Sequence, residues 1–128
     1  MKIVNILDAK ESIAKLNKIK FNDFKIVSKI YKLTKEINSV LEMVQQEQNK
    51  IIQKYVKKDK DKPVVVDGQY QFDSAEDRNN FVKEIAELKN SDIDSIVTID
   101  IPVDSIQYMN ELTGADMIIL EPFVNWIY

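Results

Sequence analysis

NDFKIVSKIYKLTKEINSVLEMVQQEQNKIIQKY (residues 22–55) is the stretch that decides how this chain folds. Apolar side chains return every three or four positions: Ile26/Val27, Ile30, Tyr31, Thr34, Ile37, Val40/Leu41, Val44, Gln48, Ile51/Ile52 and Tyr55. That is the period of one helix face. No Gly or Pro interrupts it before Pro63. Asn22 is placed to cap the helix, and Phe21 can staple onto Ile26 and fix the approach of the chain. A helix of about 35 residues is about 50 Å long, more than the ~30 Å of a small domain. The stripe therefore predicts one dominating amphipathic helix, a stalk or a helical hairpin bent near Asn38-Ser39, whose residues are weak helix formers. Gln48 is the polar position in the stripe. It marks either a register device in a coiled coil or the point where the stripe leaves the core.

Upstream, KIVNIL (2–7) is a short run rich in β-formers and reads as an edge strand closed by Asp8. Asp8 and Glu11 then have the spacing of a helix start, with a helix expected over 9–19. Downstream, KKDKDK (57–62) and Pro63 end the long helix. In PVVVDGQYQF (63–72), Asp67-Gly68 supplies the positive φ angles of a tight turn, which predicts a hairpin of 64–66 with 69–72. Ser74 with Asp77 caps a helix over 75–89 whose stripe is Phe81, Ile85 and Leu88. SIVTIDI (95–101) alternates with period two and predicts a strand, with Ile96, Thr98 and Asp100 on one side and Val97, Ile99 and Ile101 on the other. Pro102 is expected to stop its ladder. Asp104 is placed to cap a short helix carrying Ile106, Met109 and Leu112, ended by Gly114 in the left-handed conformation. The remaining ADMIILEPFVNWIY (115–128) begins as a short helix and closes on large apolar residues. The fold class is α+β: the long N-terminal helical part joined to a small module with an antiparallel β-sheet and short helices.

The chain has 128 residues, 45% hydrophobic and 30% charged, the balance of one soluble globular domain. Its helical, lysine-rich part is 1–62 and its acidic α+β part is 63–128. The first carries 15 lysines against 8 acids; the second carries 3 basic residues against 13 acids. Such a split implies halves that attract each other or face different partners. There is no Cys and no His. Thiol nucleophiles, disulfides, zinc ribbons and the commonest general base are excluded. The two glycines, Gly68 and Gly114, cannot build a phosphate-cradling loop. No apolar run reaches the ~20 residues of a membrane-spanning helix, and the charged start is unlike a secretory signal. The expected location is the cytosol or a larger particle, with no membrane partner.

The candidate chemistry is thin. Asp92, Asp94, Asp100 and Asp104 are the densest acid cluster, and Asp92-x-Asp94 resembles the start of a cation loop, but the later Gly and closing Glu are missing. Asp in such turns ordinarily bonds its own backbone. Glu76, Glu84 and Glu87 share a helix without a partner motif for acid–base work. No catalytic residue, metal ligand or cofactor site is therefore assigned, and the chain is not expected to be an enzyme. Lys10, Lys15, Lys18, Lys25, Lys29, Lys32 and Lys35 recur along two helices and are the candidates for phosphate contacts. The first half has no arginine, and the same lysines fit a solvated helix face. The C-terminal FVNWIY (123–128) either docks on its own core or anchors a partner through Trp126 and Tyr128.

The layout of residues 40–72 and 105–124 resembles a family of small phage-encoded proteins of unknown function. The stretches that carry the likeness are LEMVQQEQNKIIQKY (41–55), VVVDGQYQF (64–72), FVKEIAEL (81–88), IVTIDI (96–101) and LTGADMIILEPF (112–123). They match a Lys/Glu-rich helical first half, a short Gly-containing hairpin, a helix, a strand and a closing leucine-rich segment. The resemblance implies a non-catalytic phage protein and carries over no functional residue. The expected function is protein–protein interaction, as a small virion or assembly component or an inhibitor docking on a host protein. The expectation comes from a ridge too long to be sheltered by ~70 other residues. Ile37, Val40, Leu41, Val44, Ile51, Ile52, Tyr55, Trp126 and Tyr128 are the expected contact residues, whether with a partner or with another copy. The alternative is lysine-driven nucleic-acid binding.

Overall fold

The structure is a computed structural model that describes residues 1–93, 96–106 and 110–128. It is α+β, with a long helix, small two-stranded sheets and short helices. The chain forms two compact units: residues 1–41 with 92–128, and residues 42–91. The second interrupts the first in sequence.

In the first unit, α1 spans Ile3–Leu16. The strand expected over 2–7 is instead the first turn of this helix. Ile3, Ile6, Ala9, Ile13 and Leu16 form one buried stripe, so helical burial overrides the β preference of Ile3, Val4 and Ile6. Asp8 is inside the helix and caps nothing; the chain start is laced instead to Asp92 and Ile93, with Ile93 N–H donating to Met1 C=O at 2.9 Å. The long helix α2 is continuous over Phe24–Tyr55, about 48 Å at 1.5 Å per residue. Asp23, not Asn22, accepts from the Lys25 N–H at its start. Its residues 24–41 belong to the first unit and 42–55 to the second. Ile26, Ile30, Leu33 and Ile37 join the α1 stripe in one core with Ile96, Ile99, Ile101, Leu120, Phe123 and Val124. Phe21 packs on that core and pairs with Ile106 through an isolated bridge.

The C-terminal part of this unit departs most from the sequence reading. The strand expected over 95–101 is β5, Ile99–Pro102, and its partner is β6, Val124–Ile127. The two are parallel, with Ile99 opposite Val124 and Ile101 opposite Trp126, so this pair is not part of an antiparallel sheet. Ser95, the expected strand start, lies outside the described residues. The alternation holds only from Ile99 onward, because Ile96 is buried and Val97 exposed. Pro102 does not stop the ladder; it sits in β5 opposite Ile127. The connection contains a 3-10 turn, Val103–Ser105, where a short helix was expected, and Met109 lies outside the described residues. It also contains α4, Gly114–Ile119. Gly114 does not end a helix but begins one. Thr113 and Asp116 form a capping box there: the Thr113 hydroxyl accepts from Asp116 N–H, and Thr113 N–H donates back to the Asp116 carboxylate. A parallel pair requires such a crossover, which α4 supplies.

The second unit contains the end of α2, four two-residue strands and α3. The segment 57–62, read as a charged helix exit, forms a hairpin of β1, Lys58–Asp59, with β2, Lys62–Pro63. A second hairpin pairs β3, Val65–Val66, with β4, Gln69–Tyr70. Both turn on two residues with positive φ: Lys60 (51°) and Asp61 (64°), then Asp67 (53°) and Gly68 (77°). This is type I′ geometry twice over, seven residues apart. Three backbone bonds close the bases into a ring: Lys57 N–H to Gln71 C=O, Val64 N–H to Lys57 C=O, and Gln71 N–H to Val64 C=O, at 2.8, 2.8 and 3.0 Å. The helix α3 spans Ala75–Lys89 and is capped as read, with the Ser74 hydroxyl accepting from Asp77 N–H. Phe81 lies 5.2 Å from Phe72 and 5.9 Å from Tyr70, ring centre to ring centre.

Candidate functional site

The ridge of α2 is buried in part. Ile37 and Val44 are each 1% exposed, and Val40, Leu41, Ile51, Ile52 and Tyr55 are half-buried. Val27 and Tyr31 of the same stripe are exposed. Of the expected contact residues, Trp126 and Tyr128 are the ones the structure brings together at a surface.

That surface lies along the parallel pair, with Trp126 on the same side of β6 as Val124. Alternation along β5 and β6 sends Ile99, Ile101 and Val124 into the core and leaves Asp100, Asn125 and Ile127 outside. Asn125 Nδ2 donates to Asp100 Oδ1 at 3.1 Å across the two strands. Trp126 is half-buried, its indole N–H donating to Met117 C=O at 3.0 Å, which locks the ring against α4. Tyr128 is 94% exposed. Trp126 and Tyr128 line an open groove of about 530 Å³ together with Thr98, Asp100, Glu121 and Asn125. Among the described residues, no basic side chain lines it. A locked aromatic, an exposed one and two carboxylates thus share one groove.

A polar node that sequence reading missed joins α1 to α4. Asp116 is 6% exposed, and its carboxylate accepts from Ser12 Oγ at 2.7 Å, Lys15 Nζ at 3.1 Å, Thr113 N–H at 2.9 Å and Thr113 Oγ1 at 2.9 Å. The backbone N–H of Thr113 first, then the Ser12 hydroxyl, holds this carboxyl well below the usual carboxylate range, against the opposing effect of burial. The node thus ties α1 to α4. The pattern Thr113-x-x-Asp116 was a signal in the sequence; its partners on α1, about a hundred residues away, were not.

The lysines fall in two groups. Lys15 is engaged by Asp116, whereas Lys10, Lys18, Lys25, Lys29, Lys32 and Lys35 are exposed. On the outward side of α2, Phe24 and Tyr31, two turns apart, are 81% and 64% exposed beside Lys25, Lys32 and Lys35. In the second unit, Gln69, Tyr70, Phe72, Arg78 and Phe81 line a groove of about 620 Å³. Glu84 pairs with Lys54 at 3.2 Å and is held below the ordinary carboxylate range, by the Tyr55 hydroxyl first and also by Lys54, so it is not a raised general acid. Asp92, Asp100 and Asp104 are exposed, and Asp94 lies outside the described residues. Among the described residues, no three acidic side chains converge in a group able to hold a metal ion, and no helix is long and apolar enough to cross a membrane.

Comparison with known proteins finds no matching family model, no matching curated protein and no matching solved structure.

Proposed function

We propose that this chain is a non-catalytic protein–protein interaction module of phage type, a small virion or assembly component or an inhibitor that docks on a host protein, at work in the host cytoplasm or the virion. The phage origin rests on the resemblance described above. The interaction reading rests on one observation: an exposed aromatic, Tyr128, and a locked one, Trp126, line the same groove beside an open pair of strands. Large apolar side chains held outward on regular structure mark contact surfaces. Affinity capture with the immobilised wild-type chain and with Ile127→Ser/Tyr128→Ala tests it. The expected result is a protein retained by the wild type and lost by the variant at unchanged circular dichroism. A 14.9 kDa monomer by light scattering that captures nothing, or captures equally after the substitutions, overturns it.

A second reading is favoured by the outward face of α2. Phe24 and Tyr31 with Lys25, Lys32 and Lys35 form an aromatic and basic strip of the kind on which single-stranded nucleic acid stacks. Its test is an electrophoretic shift with a single-stranded oligonucleotide at two salt concentrations; salt-sensitive binding lost in Phe24→Ala/Tyr31→Ala supports it, and no shift at low salt removes it.

A further inference from the structure

The edge of the parallel pair specifies what kind of partner segment fits it. Ile99 N–H donates to Phe123 C=O at 3.0 Å, which sets the phase of the ladder. In a parallel ladder alternate residues bond the neighbouring strand. The backbone groups of Asn125 and Ile127 therefore face β5, and those of Trp126 face away from it. Among the described residues, no strand lies along that outer side of β6. Exposed strand edges are ordinarily blocked by Lys, Pro or a bulge. The β6 sequence, VNWI, contains neither Lys nor Pro, and its four residues pair one-to-one with β5. The other edge of the pair is different, because Pro102 in β5 has no N–H to offer.

Charge selects the occupant. Residues 92–128 contain seven acidic residues and no basic one. Lys15 already compensates Asp116, but Asp100 and Glu121 line the groove with no cation among its lining residues. Trp126 and Tyr128 line the same groove. Carboxylates together with aromatic faces recognise Lys or Arg, the first by charge and the second by the ring quadrupole.

We propose that the outer edge of β6 takes an extended segment of a partner protein as a third strand, with a Lys or Arg of that segment seated in the groove of Asp100, Glu121, Trp126 and Tyr128. The inference rests on the interaction reading and gives it a partner chemistry. Backbone bonds to Trp126 supply sequence-independent affinity, and the groove supplies the side-chain preference.

The chain carries its own reporter, since Trp126 is its single tryptophan. The probe is a synthetic eight-residue peptide alternating Arg with Thr and Val, titrated while Trp126 emission is followed. Three further probes are its acidic analogue with Glu for Arg, the basic peptide N-methylated on alternate amides, and a single-stranded oligonucleotide. Saturable binding of the basic peptide is expected, with no binding of the acidic analogue. Binding weakens at least tenfold on N-methylation, and likewise in Glu121→Lys, an exposed position whose substitution circular dichroism checks for folding. Equal binding of the N-methylated peptide overturns strand addition, and equal binding of the acidic analogue overturns the charge preference. An oligonucleotide that displaces the peptide, or self-association that masks the edge, also overturns the inference. Failure here is distinct from failure of the interaction reading. If no peptide binds while affinity capture still retains a protein through Ile127 and Tyr128, the surface is an interface and only this occupant is wrong.

Discussion

The two units are held together by different means. The first has a dry core of α1, the start of α2 and the C-terminal segments, in which Leu16, Ile101, Leu120 and Phe123 are wholly buried. The second buries only Val44 and Val56 to that class among its apolar residues; α3 has no buried residue at all. Its Phe72, Phe81, Ile85 and Leu88 are half-buried, and its order comes from turn chemistry, a backbone ring and aromatic contacts. Hydrophobic burial is roughly proportional to the area removed from water, so the first unit holds most of the stabilising area. A small sheet with its faces wet opens more readily than a packed core. Slow amide exchange is expected for Ile101 and Leu120, and faster exchange for the amides of the two hairpins.

Truncating one aromatic in each unit measures the contrast with the largest effect. Phe123→Ala removes a fully buried ring from the first core and is expected to destabilise by about 3–5 kcal/mol in urea denaturation. Phe81→Ala, which loses a half-buried ring and its contacts with Tyr70 and Phe72, is expected to cost about 2 kcal/mol. Equal losses would mean that the second unit is as tightly packed as the first.

The next effect comes from the polar node. In Asp116→Asn the side chain keeps its shape but loses the charge that accepts from Ser12, Lys15 and Thr113, at a cost of about 2 kcal/mol at neutral pH. The folded carboxyl titrates below its unfolded value of about 4, so its contribution is fully present above that pH and is lost as pH falls below it. The wild type should therefore lose its advantage over Asp116→Asn between about pH 4 and pH 2, measured as the difference in denaturation midpoints. A constant difference over that range would show that the carboxylate is not held as the geometry requires.

What the sequence disclosed follows the range of each interaction. Ser74 as the cap of α3, the Asp-Gly hairpin and the stripe of α2 are local patterns and were legible within a few residues. Gly114 was read backwards because glycine suits both helix ends; the Thr113-x-x-Asp116 box was the signal that decides between them. The β5–β6 pairing spans twenty-five residues, and the Asp116 node about a hundred, and no local pattern encodes either. For Trp126 and Tyr128 the sequence leaves core docking and partner anchoring both open, and the groove that unites them depends on that distant pairing. The first hairpin was hidden for a different reason: its turn uses Lys60-Asp61, residues that do not announce positive φ.

The two turns give the smallest effects and a direct comparison within one unit. They share φ signs at both central positions, but the first has no glycine and the second has Asp67-Gly68. A side chain other than Gly or Asn in the left-handed region costs roughly 1 kcal/mol. Lys60→Asn/Asp61→Gly installs the preferred type I′ pair and should raise stability by about 0.5–1 kcal/mol. Gly68→Ala should lower it by about 1 kcal/mol, and for backbone reasons alone, because a Cβ at Gly68 meets no atom within 4 Å. The paired variants thus separate turn strain from packing. If Lys60→Asn/Asp61→Gly leaves urea denaturation unchanged while Gly68→Ala lowers stability, the first hairpin is not held in solution and the ring at Lys57, Val64 and Gln71 is not what orders the charged segment. If both shift as expected, that ring carries strain from a poor turn, and the second unit owes its order to backbone geometry where the first owes it to a core.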